Sequence, residues 1–228
     1  MTNWTDKEIA ITGTLDLIMK QSTQEEREHI GRLLLLLLEG FELGWQEEEV
    51  RQERPADTAR RLHKAVELRL AETRQDPTAE QITCRRGCAH CCHMNVSVMP
   101  QEADLLVEVA MAKGISINLD RLFKQVPWKE DEDWMKQSRV DTKCVFLGDN
   151  NECRVYEDRP LACRKYFVVS EPELCNIEKN PRKLVGIWHD TQLEIIATAA
   201  WTFYGADTLP RQLMKAMARR AGLRKEAL

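Results

Sequence analysis

The chain has 228 residues, of which 43% are hydrophobic and 31% charged, enough for one sizeable folded domain or two small ones. Its net charge of −4 provides no basic excess, so we expect neither nucleic acid nor an anionic membrane as a partner. The longest aliphatic run, Leu33 to Leu38, is far shorter than the roughly 20 apolar residues of a membrane helix.

The beginning of the chain gives an expectation about location. Its first residues, MTNWTDKEIAITGT, lack a basic region followed by an apolar run, the pattern of an export signal. We therefore expect a cytoplasmic protein. The cytoplasm is reducing, which argues against structural disulfides among the eight cysteines.

Residues 1–80 contain no cysteine and have the pattern of helices. The main apolar stripe recurs at spacings of three and four residues: Ile30, Leu34, Leu37, Phe41 and Trp45. The leucine run at 33–38 adds apolar side chains on the other faces, which predicts a central helix buried on most sides. Thr23 and Glu26 have the spacing of a capping box at its beginning.

The rest of the chain, residues 81–225, combines helices with short β segments. A strand is predicted within 95–98, and two β-prone triplets, 145–147 and 154–156, flank a Gly-Asp-Asn-Asn turn, which predicts a hairpin. Helices are predicted from Pro100 to Gly114, over 118–125, over 128–139, and from a capping box at Thr191 and Glu194 to Gly205.

These patterns predict a mainly α fold with a small β-hairpin. We expect a helical N-terminal region, residues 1–80, and an irregular, metal-stabilised cysteine-cluster domain, residues 81–225. The division follows the cysteines, all of which lie between residues 84 and 175.

The stretch CRRGCAHCC places four cysteines within residues 84–92. On a helical turn Cys88 can converge with either Cys91 or Cys92, which follow it by three and four residues. Adjacent residues point about 100° apart on a helix. Cys91 and Cys92 therefore suit a multi-iron cluster or two separate centres better than one small ion.

A second group of cysteines is more widely spaced: Cys144, Cys153, Cys163 and Cys175. Structural zinc sites usually take their ligands in close pairs, two to four residues apart, and these gaps are larger. Four cysteines are also the usual complement of a cubane iron–sulfur cluster. The spacing therefore favours iron–sulfur and leaves zinc open. Several cations flank the thiols and could offset thiolate charge: Arg85, Arg86, Arg154, Arg164 and Lys165.

The combination of CRRGCAHCC, CVFL, CRVYEDRPLACRKY and a late cysteine resembles the cysteine-cluster family, a zinc- or iron-chelating domain named for a CxxCxxCC signature. Flagellin lysine-N-methylase is similar to this family, and an iron–sulfur cluster is attributed to that enzyme. The resemblance covers Cys84 to Cys175 and implies metal binding by the cysteines. This sequence departs from the signature in one respect, since three residues rather than two separate Cys84 from Cys88.

Cys84 to Cys91 also reads C-x3-C-x2-C, the spacing of radical S-adenosylmethionine enzymes. Those enzymes resemble partial α/β barrels, and the residues after Cys92 show no alternation of strands and helices. We retain this as a third, weaker alternative.

Other polar residues near the cysteines were considered as site residues. His90 and His93 lie within the first group, and imidazole is a common metal ligand. Because eight cysteines already supply enough ligands for two sites, we assign neither histidine a ligand role. Tyr156 and Arg159 are the candidates for a polar, cofactor-binding role beside the metal.

The sequence thus predicts a metal-binding protein with an iron–sulfur centre, or alternatively zinc, held through Cys84, Cys88, Cys91, Cys92, Cys144, Cys153, Cys163 and Cys175. The centre would serve a redox or group-transfer enzyme. The alternative is a non-catalytic, zinc-stabilised binding module. Neither interpretation identifies a substrate or a protein partner.

Overall fold

The structure is a computed structural model and describes residues 9, 11–75, 77–85, 87–176, 178–180 and 185–223. Helices dominate these residues. In chain order the α-helices are α1 (Gly13–Gln21), α2 (Gln24–Arg51), α3 (Pro55–Thr73), α4 (Pro100–Ala112), α5 (Leu119–Gln125), α6 (Asp131–Met135), α7 (Arg139–Thr142), α8 (Leu161–Lys165), α9 (Thr191–Tyr204) and α10 (Leu209–Arg220). Single 3₁₀ segments lie at Pro77–Gln81, His90–His93, Tyr156–Asp158 and Pro172–Cys175.

Four two-residue strands form two small antiparallel sheets: β1 (Ser97–Val98) pairs with β4 (Asp207–Thr208), and β2 (Phe167–Val168) with β3 (Ile187–Trp188). The predicted hairpin is present as a tight turn. Its two sides are joined by the bridge between Leu147 and Cys153 and by the hydrogen bond from Gly148 N to Glu152 O, 3.0 Å. The predicted fold class, mainly α with a small β-hairpin, is confirmed.

The first compact unit comprises Met1–Arg54 and His189–Ala206. In it α1 and α2 pack against α9 around one apolar cluster: Leu15, Ile30, Leu34, Leu38, Ile195 and Ala199. The capping box predicted at Thr23 and Glu26 is present. At the start of α1, Thr12 accepts from Leu15 N and donates to the Glu194 carboxylate, 3.0 Å, which joins α1 to α9.

Helix α2 is less buried than its leucine run predicted. Leu34 and Leu38 are buried, whereas Leu36 is 62% exposed and Leu43 51% exposed. An uninterrupted leucine run places side chains on every face, but tertiary packing covers only one stripe of this helix. The prediction of burial on most sides was therefore wrong. No helix among the described residues has both the length and the apolar composition to cross a membrane.

Two local predictions in the C-terminal half also need correction. The N-cap of α9 is Asp190, whose side chain accepts from Leu193 N, 3.0 Å. The predicted capping box at Thr191 and Glu194 is therefore wrong, and a single cap lies one residue earlier. The single helix predicted over 128–139 is two short helices, α6 and α7, because Ser138 caps α7 through Asp141 N.

The second compact unit comprises Pro55–Trp188 and Asp207–Leu228. Its centre is α4, which packs against α3 on one side and α10 on another. The β1–β4 pairing and the hydrogen bond from Leu209 N to Val96 O, 2.8 Å, join α10 to the segment that leads into α4. All eight cysteines lie in this unit. The two units differ from the predicted division at residue 80, because α3 packs with the cysteine-bearing part and α9 with α1 and α2.

A buried carboxylate connects three segments of the second unit. Glu102 on α4 is 0% exposed, and its carboxylate lies 2.8 Å from His63 Nε2 on α3. It also accepts from Met99 N, 3.0 Å, and from Leu161 N, 2.6 Å, at the start of α8. Since α8 carries Cys163, Glu102 fixes the backbone from which that cysteine projects.

We expect Glu102→Ala to destabilise the second unit by at least about 3 kcal/mol, because it leaves three buried polar groups without their partner, at about 1–3 kcal/mol each. Denaturant unfolding measures the effect. Glu108→Ala is the matched control on the same helix, since Glu108 pairs with Arg60 at 2.6 Å and is partly exposed. The control should lose less than about 1 kcal/mol. Equal losses in the two variants would contradict the assigned role of Glu102.

Candidate metal centre

The first two cysteines are separated by a turn that absorbs the additional residue of this sequence. Cys88 N donates to Arg85 O, 3.0 Å, and Gly87 has a φ of +84°. That backbone conformation favours glycine, because a Cβ would be strained there. The CxxxC spacing between Cys84 and Cys88 thus closes as a tight turn. Arg86, within it, lies outside the described residues.

The adjacent cysteines lie on the 3₁₀ segment His90–His93. The hydrogen bond from Met94 N to Cys91 O, 3.2 Å, closes the end of this segment. A 3₁₀ helix has three residues per turn, so neighbouring side chains point about 120° apart. Cys91 is exposed, and Cys92 is partly buried. The two side chains thus differ in exposure, although their thiols hydrogen-bond each other.

Cys175, the last cysteine of the chain, lies near the first ones. Val168 N, on β2, donates to the Cys84 sulfur, 3.3 Å, and Thr83 N donates to Val168 O, 2.9 Å. The 3₁₀ segment Pro172–Cys175, which follows β2, packs against His90–His93. Cys175 is buried there and interacts electrostatically with Cys84, Cys88 and Cys91.

The middle cysteines gather beside Cys92. Cys144 N donates to Cys92 O, 2.8 Å, and the bridge from Leu147 places Cys153 across the turn from Cys144. Cys163, on α8, interacts electrostatically with Cys144 and Cys153. The structure thus brings four separate chain segments, and all eight predicted cysteines, into one region of the second unit.

All eight thiols are free, with no disulfide among them. Within the described part of the chain, no three Cys, His, Asp or Glu side chains converge tightly enough to enclose a single metal ion. The donor set nevertheless fits a metal centre in its chemistry, since thiolates are preferred ligands of both zinc and iron–sulfur clusters. Ligation by each cysteine remains a prediction.

A hydrogen bond between the thiols of Cys91 and Cys92 shifts their pKa values in opposite directions. The Cys92 thiol hydrogen-bonds Cys91, which lowers the pKa of Cys91 to about 7. The same bond, together with burial, raises the pKa of Cys92. Cys91 is therefore the thiol of this pair that ionises first.

Burial acts on most of the other thiols. It raises the pKa of Cys144 to about 12 and that of Cys175 to about 11, and neighbouring thiols add to both shifts. Burial also raises the pKa of Cys163 well above its ordinary range and raises those of Cys84 and Cys153. Without metal, these groups are protonated near neutral pH. A bound metal must displace their protons.

Two of the flanking arginines, Arg154 and Arg164, donate hydrogen bonds to groups other than thiols. Arg164 is 4% exposed and donates to the carboxylate of Glu67 and to two backbone carbonyls. Arg154 donates to the carbonyls of residues 145 and 146. Both arginines therefore support the backbone around the cysteines, which differs from the charge-offsetting role considered for them.

Arg159 is placed differently, within electrostatic range of Cys84, Cys91 and Cys153. Its guanidinium carbon lies 4.1 Å from the centre of the Tyr156 ring, the geometry of a cation–π contact. The buried Arg159 Nε has no hydrogen-bond partner among the described residues. Tyr156 and Arg159, the two residues predicted to have a polar role, are thus in contact, and the charge of Arg159 lies near the thiols.

The two histidines of the first group contact α7. His93 Nδ1 donates to Arg139 O, 2.9 Å, and His90 Nδ1 accepts from the Arg139 guanidinium, 3.2 Å. Burial lowers the pKa of His93 to about 4 and also lowers that of His90, so both rings are neutral near pH 7. These contacts provide each imidazole with a structural role.

Sequence reasoning missed two residues of this region. Tyr166 lies within electrostatic range of Cys175, Cys91 and Cys84, and burial raises its pKa to about 12. Its position three residues after Cys163 was the available signal. Glu102 has no such signal, since it lies far from the cysteines in sequence and reaches α8 only through tertiary packing.

The raised thiol pKa values predict how stability depends on pH in the metal-free protein. An unfolded thiol has a pKa of about 8.5 and ionises above that pH, whereas the buried thiols stay protonated. The folded state therefore loses stability as pH rises from about 8.5 towards 11, by at most about 1.4 kcal/mol per pH unit for each such thiol. Denaturant unfolding of metal-free protein across this range tests it.

Metal-free Cys163→Ser is the control for this experiment, because a hydroxyl does not titrate in the range. Its stability should fall less steeply with pH than that of the wild type. Identical slopes, or a wild-type stability that rises across the range, would contradict the assigned burial of the thiols.

Comparison with known proteins finds one family model that matches the cysteine-bearing part of the chain. Residues 83–183 match the model of the CxxCxxCC family, whose description reads "Putative zinc- or iron-chelating domain". No curated protein and no solved structure matches the chain. The match spans all eight cysteines and supports metal binding by this region. Residues 83–183 are therefore similar to the CxxCxxCC zinc- or iron-chelating family, as the resemblance of the sequence predicted.

Proposed function

We propose that the cysteine-cluster domain, for which the sequence predicted the bounds 81–225, holds an iron–sulfur centre through its eight cysteines. The observation that carries this proposal is the gathering of eight free thiols from four separate segments. The connections between those segments are mostly irregular, and only Cys175 among the thiols is fully buried. Metal binding would supply the cohesion that such a region lacks, since its free energy adds to that of folding.

Iron–sulfur is favoured over zinc by the arrangement of the ligands. Four thiolates around one zinc ion lie within about 4 Å of one another, because each zinc–sulfur bond is about 2.3 Å. In a cubane, iron and sulfide separate the cysteine sulfurs, so the ligands stand further apart. The wide spacing of Cys144, Cys153, Cys163 and Cys175 along the chain favours the larger group over a zinc site built from close pairs.

The charge at Arg159 supports a redox role for this centre. A cation in a half-buried position beside several thiolates stabilises whichever state of a bound cluster carries more negative charge, which is the reduced state. Its contact with Tyr156 holds the guanidinium in place. A zinc ion held by four thiolates is also anionic, so this charge fits either metal. We favour an electron-transfer or group-transfer enzyme over a non-catalytic zinc-stabilised module because the ligand spacing favours an iron–sulfur centre.

The radical S-adenosylmethionine alternative receives no support from the fold. A partial α/β barrel needs several parallel strands. The strand pairs in the described residues are antiparallel and two residues long. The C-x3-C-x2-C spacing thus occurs here without the architecture on which that chemistry depends.

We propose a cytoplasmic location, because metal binding by eight cysteines suits a reducing compartment. The net charge of −4 does not favour nucleic acid or an anionic membrane as partner. A protein or small-molecule substrate is the remaining partner class, and its chemistry is left open.

The identity of the metal predicts the appearance of the purified protein. Protein isolated without oxygen should be brown, contain iron and acid-labile sulfide in equal amounts, and lose part of its visible absorbance on reduction. The measurement combines metal analysis with visible spectroscopy. A colourless protein holding stoichiometric zinc would instead favour the binding-module alternative, and protein that takes up neither metal would contradict metal binding.

A pair of variants separates ligands from neighbours. We expect Cys163→Ser to lose metal and thermal stability together, because a hydroxyl is a much weaker ligand than a thiolate for soft metals. His90→Ala should retain its metal, since His90 is held by Arg139. Bound metal per chain and thermal midpoint are measured in parallel. Full metal in Cys163→Ser together with loss in His90→Ala would show the assignment to be wrong.

A further inference from the structure

We propose that the exposed face of α2 is a docking surface for a basic amphipathic helix of a partner protein. The surface consists of Leu36, Gly40 and Leu43, with Glu39 and Glu47 beside them. It lies on the first compact unit, outside residues 83–183, which the family model matches. The inference is independent of the proposed metal binding and assigns a function to this unit.

The two leucines of the surface point away from the core of their own unit. The core stripe of α2 is Ile30, Leu34 and Leu38, none of which is more than 4% exposed. Leu36, by contrast, is 62% exposed and Leu43 is 51% exposed. Seven residues are close to two turns of helix, so these two side chains point in nearly the same direction. They therefore present one apolar stripe to solvent.

A glycine lies between the two leucines. Gly40 follows Leu36 by four residues and precedes Leu43 by three, and residues at these spacings are neighbours on a helix face. Apart from α2 itself, no described residue comes within 4 Å of the position that a Cβ would take at Gly40. Glycine inside a helix is less stable than alanine, and packing within the chain does not require it here. It leaves a notch that fits one large apolar side chain of a partner.

The charges beside the notch are mainly acidic. Glu39 follows Leu36 by three residues and Glu47 follows it by eleven, and both glutamates are exposed. Arg32, one turn before Leu36, is the basic residue at the N-terminal end of the surface. Glu47 forms an ion pair with Arg51, 3.1 Å, but both side chains are exposed and the pair is weak. The middle and the C-terminal end of the surface therefore favour a cationic partner.

The C-terminal end of α2 contains a conflict that a basic partner relieves. Its last residues, QEEEVR at 46–51, include three glutamates and one arginine. The C-terminal end of a helix carries partial negative charge, so glutamates destabilise it there. A lysine or arginine docked beside this end is attracted by the carboxylates and by the helix dipole together.

The net charge of the unit favours a different protein over a second copy of this chain. Met1–Arg54 and His189–Ala206 contain 14 acidic and 6 basic residues, a net charge of −8. Two α2 helices that crossed at Gly40 would bring their Glu39 carboxylates together, and the two acidic units would repel each other. A helix with an apolar stripe flanked by lysine or arginine fills the notch and pairs with Glu39 and Glu47 instead.

A synthetic peptide tests the surface directly. The probe is a labelled helical peptide of leucine and lysine, with its leucines at spacings of three and four residues. Fluorescence anisotropy with the whole chain should show saturable binding that weakens as salt is added. Two control peptides should not bind: one with glutamate in place of lysine, and one with the same leucines and lysines scrambled so that no apolar stripe remains.

Substitutions on α2 locate the site. Leu36→Gln combined with Leu43→Gln should weaken binding of the lysine peptide by about tenfold or more, because both apolar contacts are lost. Leu17→Gln is the matched control, since Leu17 is 53% exposed on α1, and it should bind like the wild type. Glu39→Lys combined with Glu47→Lys should abolish binding of the lysine peptide and create binding of the glutamate peptide.

Gly40→Ala separates docking from folding. Alanine forms helix better than glycine, so the thermal midpoint should rise. The added methyl group occupies the notch, so binding of the lysine peptide should weaken by about tenfold. Gly31→Ala is the matched control: Gly31 lies nine residues earlier on the opposite side of α2, and outside that helix no described residue comes within 4 Å of its Cβ position. This variant should gain stability and keep wild-type binding.

Several results would overturn the proposal. Equal binding of the scrambled peptide would reduce the effect to net charge, and unchanged binding in the Leu36 and Leu43 double variant would place the peptide elsewhere. Self-association of the chain that Gly40→Ala abolishes would assign the surface to a second copy. Bound metal per chain is measured in every variant and should equal that of the wild type, so failure of docking and failure of metal binding are distinguishable.

Discussion

The structure of the second unit depends on the crowding of eight thiols that come from distant parts of the chain. Burial and mutual repulsion both oppose ionisation of the thiols. The pKa values of most of these thiols therefore lie above the ordinary range. A bound soft metal would replace those protons and convert repulsion between thiolates into shared bonding. Short 3₁₀ turns, two-residue strands and the buried Arg164 hold the backbone around the thiols.

The helices of the second unit hold the cysteine-bearing segments in place. Helix α4 lies at the centre of the second unit, and its buried Glu102 connects α3 to the start of α8. Arg164, on α8, donates to backbone carbonyls that precede it. Cys163 is thus held from both ends of a five-residue helix, which would be too short to persist alone.

The sequence predicted what depends on local pattern. The capping box at Thr23, the helix from Pro100 and its stop before Gly114 follow from side-chain chemistry within a few residues, and the structure contains them. It could not predict what depends on distant packing. The packing of Pro172–Cys175 against His90–His93, the exposure of Leu36, and the β1–β4 pairing all depend on the tertiary arrangement of residues far apart in the chain.

X-ray absorption at the metal edge of the purified holoprotein tests the central claim most directly, because it reads the ligand atoms around the metal. We expect a first coordination shell made only of sulfur, at about 2.3 Å for either metal, with an iron–iron distance beyond it if the centre is a cluster. A shell containing nitrogen or oxygen ligands from the protein would contradict binding by the cysteines alone.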